Sequence, residues 1–105
     1  MYGYPRGTYR DSAGWRPVTY RVILRPAALR ALQRMPEKIA TACWEFIHGP
    51  LAENPRRVGK PLLEPLAPRY SARRGEYRVL YIIEDEEVTV LITSVTHRAD
   101  AYRPR

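Results

Sequence analysis

The chain has 105 residues, enough for one compact domain and too few for two, and 45% of them are hydrophobic, which is typical of a folded protein. Arginine supplies all but two of its 18 basic residues, and the formal net charge of +7 favours an acidic or polyanionic partner. A lone cysteine, Cys43, excludes an intramolecular disulfide and a multi-cysteine zinc site, and its place in a helical pattern predicts a buried structural thiol. No apolar run approaches the roughly 18 residues of a membrane span and no secretory signal is present, so we expect a cytoplasmic protein without a membrane partner.

The first 17 residues have no hydrophobic periodicity and contain several glycines and prolines. Such a composition is typical of a flexible extension. We therefore expect a flexible N-terminal extension over residues 1–17 and a single folded domain over residues 18–105.

A strand and two helices are predicted next. Apolar residues alternate with polar ones from Val18 to Leu24, which predicts a first strand, and Pro26 suits the first turn of a helix. Two apolar groups then follow, each with the spacing of one helix face: Ala28, Ala31, Leu32 and Met35, then Ile39, Ala42, Cys43, Phe46 and Ile47. Pro36 separates the groups, so we expect a helical hairpin that stops or kinks near Gly49-Pro50.

The second half of the chain predicts a sheet. Residues 54–68, rich in proline and basic residues, predict a surface loop. Three strands are then expected over about residues 69–73, 77–84 and 87–96, with tight turns at Arg74-Gly75 and Asp85-Glu86. The order of strand, two helices and three-stranded antiparallel meander predicts an α+β fold with the helices on one face of a small antiparallel sheet.

Several arginines fall on these short, otherwise apolar strands. Two-residue turns at the two predicted positions would place Ser71 opposite Arg78, and Arg78 opposite Thr93. One end of one sheet face would then carry Ser71, Arg73, Arg78, Thr93 and His97. Because a guanidinium on a strand stays solvated or binds an anion, this face predicts a concave phosphate-binding site.

Other interpretations of these residues remain open. Arg73 also fits a solvated turn residue, His97 fits a surface histidine, and strict alternation puts Arg98 on the opposite face. The sequence has no glycine-rich phosphate loop, no metal-ligand spacing and no nucleophile motif, so we expect neither a cofactor nor a metal.

Short segments in a characteristic order resemble the RelE/ParE superfamily of bacterial toxins, and within it the RelE-like ribonucleases, over about residues 20–103. These segments are Tyr20-Arg21-Val22, Leu32 to Pro36, Asn54-Pro55, Gly59-Lys60-Pro61-Leu62, Tyr70 to Arg73, Gly75 to Tyr81, Val95-Thr96-His97-Arg98 and Tyr102-Arg103. The resemblance implies a toxin of a type II toxin–antitoxin pair. It also implies an endoribonuclease that cleaves mRNA in the ribosomal A site, without a metal, by attack of a ribose 2′-hydroxyl on the adjacent phosphate.

The resemblance also implies roles for individual residues. By position, Arg78 stabilises the scissile phosphate, Arg98 is a second catalytic cation, and Tyr102 stacks on a base or helps to activate the 2′-hydroxyl. His97 is the residue type best suited to proton transfer near neutrality. The residues expected to bind RNA or phosphate are Arg73, Ser71, Arg74 and Lys60.

Two alternatives and three partners accompany this hypothesis. The chain also fits a ParE-like inhibitor that acts by binding DNA gyrase, or an inactive protein of the same fold that only binds its antitoxin. In each case the expected partner is a cognate antitoxin whose acidic, helical segment covers the basic face. For the ribonuclease, the 70S ribosome and its mRNA are partners as well.

Overall fold

A computed structural model describes residues 8–11, 14–17 and 19–97 of the chain, with side chains from residue 19 onward. Near the N-terminus, β1 (Thr8–Asp11) and β2 (Gly14–Pro17) pair antiparallel as a two-stranded sheet of their own. The sequence did not predict these two strands. The assignment of residues 1–17 to an extension outside the main domain stays a prediction.

The main sheet has five strands, which are β3 (Arg21–Leu24), β4 (Lys60–Pro61), β5 (Tyr70–Arg74), β6 (Tyr77–Glu84) and β7 (Thr89–His97). Their order across the sheet is β3-β7-β6-β5-β4, so that β7, β6 and β5 lie in the interior of the sheet. The pairing of β3 with β7 is parallel, and every other pairing is antiparallel. The predicted α+β fold is confirmed, although the parallel pairing and the short strand β4 were not predicted.

Three helices accompany the sheet. They are α1 (Pro26–Arg34), α2 (Glu37–Phe46) and the single turn α3 (Pro55–Val58). Helix α1 begins with Pro26 in its first turn and ends at Arg34. The backbone of the next residue, Met35, is extended because the following Pro36 disfavours helical dihedrals. Beyond α2 the chain continues through a wider, π-helical turn (Ile47–Leu51) that contains Pro50, so the helical path does not stop at Gly49-Pro50. No helix in the described part of the chain is long and apolar enough to cross a membrane.

The core lies between the helices and one face of the sheet, which we call the helix-covered face. In β6 the buried residues are Tyr77, Val79 and Tyr81, two positions apart, as alternation requires. The same cluster includes Ala72 of β5 and Val90, Ile92 and Val95 of β7, packed with Ala28, Leu32, Cys43, Phe46, Ile47 and Leu51. The prediction that the helices cover one face of the sheet is therefore confirmed, as is the burial of Cys43.

Candidate phosphate-binding site

A tight turn sets the register of the two strands that carry the arginines. The turn residues are Gly75 and Glu76, and Gly75 has a φ of +60°, in the left-handed region that favours glycine. Arg73 consequently lies opposite Arg78, not opposite Glu76 as a turn at Arg74-Gly75 would require. Because the pairing moved by two residues, each side chain kept its predicted face. Arg73 and Arg78 therefore do share one face of the sheet with Ser71.

A β-bulge between β6 and β7 overturns another part of the predicted register. The pairing shifts by one residue there, since Tyr81 lies opposite Ile92 while Leu80 lies opposite Ser94. Thr93 is the extra residue of the bulge, and its Oγ1 donates a hydrogen bond to the Leu80 carbonyl over 3.1 Å.

The bulge moves side chains of β7 between faces, because a slip of one residue reverses the alternation. Thr96, not Thr93, lies opposite Arg78, and His97 lies opposite Tyr77. The predictions that Thr93 and His97 share the face of Arg78 are therefore wrong. A signal for the bulge is present in the sequence. The buried apolar residues of β7 are two positions apart at Val90 and Ile92 but three positions apart at Ile92 and Val95.

The face opposite the helices carries the arginine pair, and we call it the open face. Its residues form two rows across the strands: Lys60, Ser71, Leu80 and Ser94 in one, and Arg73, Arg78 and Thr96 in the other. Lys60 joins the group because the unpredicted strand β4 pairs it with Ser71. Lys60, Arg73 and Arg78 are exposed, so three cations lie on one open surface.

The open face is concave around the arginines. A cavity of about 400 Å³ lies there, lined by Ser71, Arg73, Arg78, Leu80 and Thr96 from the strands and by Leu62 and Leu66 from the loop between β4 and β5. Its volume is within the range of about 300–1,000 Å³ that ligand pockets occupy. The predicted concave basic site is thus present, with Thr96 in the place expected for Thr93.

The charges of this cavity suit an anion, because two arginines, Arg73 and Arg78, line it against the single carboxylate of Glu76. Like charges directly opposite each other on a sheet destabilise it, and Arg73 and Arg78 form such a pair. Within residues 19–97, neither guanidinium has an ion-pair partner. A phosphate between them would offset the repulsion and accept paired hydrogen bonds from the planar guanidiniums.

Several predicted site residues are not part of this group. Arg74 lies opposite Tyr77 on the helix-covered face, with its guanidinium 5.6 Å from the centre of the Phe46 ring. Arg98 and Tyr102 lie outside the described residues. Of the eight predicted site residues, the structure therefore brings together Lys60, Ser71, Arg73 and Arg78.

A buried hydrogen bond positions β4, and with it Lys60. The Tyr81 hydroxyl donates to the Pro55 carbonyl over 2.6 Å at the start of α3, and burial raises the pKa of Tyr81 so that it keeps its proton. The backbone at Gly59 passes against this hydroxyl, and a Cβ there would meet both the hydroxyl and the Ser71 carbonyl oxygen, the latter at 2.9 Å. Glycine is needed at this position for the close approach that brings β4 against β5.

A second anchor fixes the turn between β6 and β7. Arg56 of α3 donates two hydrogen bonds to the Asp85 carboxylate, over 2.7 and 2.6 Å, and the Tyr20 hydroxyl donates to the same carboxylate over 2.9 Å. Asp85 holds the pKa of Arg56 above its usual value, while burial and Asp85 both raise that of Tyr20. The sequence predicts only a tight turn at Asp85-Glu86, and no local pattern indicates the distant partners of Asp85.

The interior beneath the sheet holds two groups that stay protonated. Burial raises the pKa of the Cys43 thiol to about 12, and burial followed by the charge of Cys43 raises the pKa of Tyr77 to about 12. Neither group ionises near neutrality, which fits a structural role for both. Across the residues that the structure describes, no cluster of three or more His, Cys, Asp or Glu side chains could hold a metal ion.

Comparison with known proteins identifies the family of the chain. The family model for the ParE toxin of the type II toxin–antitoxin system parDE matches residues 22–102. The chain belongs to the RelE/ParE toxin family. Toxin RelE of Mycobacterium tuberculosis (strain ATCC 25618 / H37Rv) is 51% identical to it over 84 residues, which are 80% of this chain and 87% of the relative.

Two further relatives agree. Toxin RelG of the same strain is 51% identical over 84 residues, covering 80% of this chain and 97% of its own length. In the crystal structure of the RelBE2 toxin–antitoxin complex from M. tuberculosis, the matched chain has a TM-score of 0.76 and 51% identity. That match covers 79% of this toxin and 95% of the other chain. The resemblance inferred from the sequence is confirmed.

Proposed function

We propose that this toxin is a ribosome-dependent endoribonuclease that cleaves mRNA in the A site, by attack of a ribose 2′-hydroxyl on the adjacent phosphate. The observation that carries the proposal is the direct pairing of Arg73 with Arg78 on the open face, with Lys60 and Ser71 in the neighbouring row. The proposal is also supported by a relative named Toxin RelE, which is 51% identical to this chain.

The arginine pair supplies electrostatic stabilisation. When the 2′-oxygen bonds to phosphorus, the phosphorane gathers negative charge on its non-bridging oxygens before the bond to the 5′-oxygen breaks. Guanidiniums beside the phosphorane stabilise that charge, and loss of one such donor typically lowers the rate by about 10²–10³-fold. In this proposal Arg78 binds the scissile phosphate, and Arg73 and Lys60 bind the same or the adjacent phosphate.

Proton transfer requires other groups, because arginine keeps its proton. One group takes the proton of the 2′-hydroxyl and another protonates the departing 5′-oxygen. His97 and Tyr102 are our candidates, with Arg98 as a second cation at the phosphate. Because His97 lies opposite Tyr77 on the helix-covered face, we expect His97→Ala to lower cleavage less than Arg78→Ala.

The same surface determines the proposed partners. An antitoxin with an acidic, helical segment would neutralise the cations of the open face and prevent access to mRNA. A relative of this toxin has been crystallised within a toxin–antitoxin complex. We therefore propose a cognate antitoxin, the 70S ribosome and mRNA as partners in the cytoplasm, with neither a metal nor a cofactor required.

Primer extension on translating ribosomes tests the activity. Wild-type toxin is expected to produce cuts at fixed positions within codons, and Arg78→Ala is expected to reduce them by about 100-fold. Arg74→Ala is the matched control, since it removes the same charge one strand away on the other face and should cut almost as wild type. Equal cutting by Arg78→Ala and wild type would show that the assigned site is wrong.

Inhibition of DNA gyrase is a second candidate function. The family model that matches this chain is that of the ParE toxin, and a ParE-like toxin would act by binding gyrase. It predicts gyrase-linked DNA breaks without codon-positioned cuts in the mRNA. If the protein caused neither mRNA cuts nor DNA breaks but bound its antitoxin tightly, it would be an inactive protein of the same fold.

A further inference from the structure

The cavity on the open face has an apolar wall that phosphate binding does not use. Leu62 and Leu66 of the loop between β4 and β5, together with Leu80 of β6, line it beside the arginine pair. Leu66 is 46% exposed. Exposure of a large apolar side chain inside a cavity, next to two arginines that have no ion-pair partner within residues 19–97, indicates a ligand with both a charged and an apolar part.

Backbone hydrogen bonds hold this wall in place. The Leu62 amide donates to the Arg69 carbonyl over 2.9 Å, continuing the pairing of β4 with β5. Two turns then fold the loop, because the Leu66 amide donates to the Leu63 carbonyl over 2.9 Å and the Arg69 amide to the Leu66 carbonyl over 3.1 Å. The leucines are therefore presented by an ordered backbone, which lowers the entropy lost when a ligand binds.

We propose that this wall is a nucleobase subsite: the base of the nucleotide whose phosphate binds Arg73 and Arg78 packs against Leu62 and Leu66. This inference rests on the proposed ribonuclease function and deepens it. A nucleotide has the required shape, with an anionic phosphate joined through a ribose to a flat ring that has an apolar face. Single-stranded RNA is commonly bound in this way, with its bases splayed onto a protein surface while the phosphates meet cations.

The chemistry of the wall also predicts what it does not do. Among the residues that form it, the side chains are aliphatic and make no hydrogen bonds, whereas base identity is discriminated through hydrogen bonds to base edges. Every base has an apolar face, so the subsite orients the nucleotide without selecting it. An apolar protein segment is a poorer match, because arginines border the leucines on the same cavity.

The neighbouring Leu63 provides a matched control. It belongs to the same loop and is 85% exposed, but it is not among the cavity residues. Leu63→Ala and Leu66→Ala remove the same atoms from the surface of one loop. A general effect of loop hydrophobicity would affect both variants, and a base subsite would affect Leu66→Ala alone.

Cleavage kinetics on translating ribosomes give the first test. Leu66→Ala is expected to lower kcat/KM by about tenfold, the scale of 1.4 kcal/mol in lost contact, with the same cut positions and codon distribution. Leu63→Ala should match wild type. If wild type cuts and Leu66→Ala has an unchanged kcat/KM, the subsite is overturned while the ribonuclease function stands. If wild type does not cut, the function itself fails.

Methyl NMR of the full chain gives a second test that does not depend on activity. A trinucleotide RNA is expected to shift the methyl resonances of Leu62 and Leu66 and leave those of Leu63 unchanged, whereas the same trinucleotide with abasic riboses should shift none of the three. Equal shifts from both probes would overturn the proposal. So would a Leu66→Ala variant that loses only antitoxin affinity, because the wall would then be a protein-binding surface.

Discussion

The two faces of the main sheet carry opposite properties although they are built from the same strands. On the helix-covered face, β6 presents Tyr77, Val79 and Tyr81, at most 6% exposed and packed against the helices. On the open face, β6 presents the exposed Arg78 and the half-buried Leu80. One residue along the strand therefore separates a core position from a proposed catalytic one.

This contrast shows how a small toxin can combine folding with function. A 105-residue chain has few residues to spare for a core, and here the alternation of a β-strand serves both needs. Substitutions on the open face should alter activity and leave stability almost unchanged. Substitutions of the buried residues on the helix-covered face should have the reverse effect.

Charge reversal gives the largest expected effect and tests whether the two faces are separate. Arg73→Glu and Arg74→Glu change the net charge equally, but their side chains lie on opposite faces. Arg73→Glu should lower cleavage by about 100-fold or more, because it places an anion beside the scissile phosphate. Arg74→Glu should lower cleavage by a few-fold at most. Kinetics on translating ribosomes would measure both, and equal losses would mean that overall charge, not the open face, governs activity.

Removal of the Tyr81 hydroxyl should give the next largest effect. Tyr81→Phe leaves the Pro55 carbonyl without its 2.6 Å hydrogen bond, and an unsatisfied buried acceptor costs about 1–3 kcal/mol. Urea unfolding would measure this loss. Because the bond positions β4, we also expect a modest fall in cleavage. Removal of a hydroxyl from the half-buried Tyr70 on the neighbouring strand, by Tyr70→Phe, should not produce it.

The buried thiol should make the protein less stable at alkaline pH. Burial raises the pKa of Cys43 to about 12, against an ordinary value of 9.0. Between these values the unfolded chain loses a proton that the folded chain keeps, so the free energy of unfolding falls as the pH rises.

Comparison with Cys43→Ala isolates this contribution from that of the tyrosines. Between pH 8 and pH 10, under reducing conditions, the stability advantage of wild type over Cys43→Ala should shrink by about 1 kcal/mol. An advantage that stays constant over this pH range would show that the thiol is not buried in the folded protein.

The smallest expected effect concerns the anchor at the second turn. Asp85→Asn weakens the paired hydrogen bonds from Arg56, and the Asp85 side chain is 52% exposed, so solvent screening limits the loss to about 0.5–1 kcal/mol. Thermal unfolding would detect it, and 0.5 M salt should reduce the difference from wild type. The anchor lies at the other end of β6 from Arg78, so cleavage per folded molecule should not change.

The sequence predicts the arginine face well because the alternation of side chains along a strand is unchanged when the pairing of two strands shifts by an even number of residues. Both predicted turns were misplaced, yet each error moved the pairing by two residues, which leaves every side chain on its face. Ser71, Arg73 and Arg78 were grouped correctly for this reason. The β-bulge at Thr93 introduces a shift of one residue, and that shift alone transferred His97 to the other face.

Features that depend on distant contacts were not predictable from local patterns. Strand β4 lies within a segment rich in proline and basic residues, and its place in the sheet depends on the fit of Gly59 against the Tyr81 hydroxyl. The Arg56–Asp85 pair joins residues 29 positions apart, and the bond from Tyr20 spans 65 positions. The apolar wall of Leu62 and Leu66 was likewise visible only once the loop had been placed over the open face.

The most direct test of the central claim compares two adjacent residues of β6. We would measure kcat/KM on translating ribosomes and the free energy of unfolding for Arg78→Ala and Val79→Ala. Arg78→Ala should lose about 100-fold in kcat/KM and less than about 0.5 kcal/mol in stability. Val79→Ala, from a position that is 0% exposed, should lose about 2 kcal/mol in stability and keep the activity of each folded molecule. If Arg78→Ala instead retained its activity, or lost activity and stability together, the division of the two faces into a catalytic surface and a structural core would be contradicted.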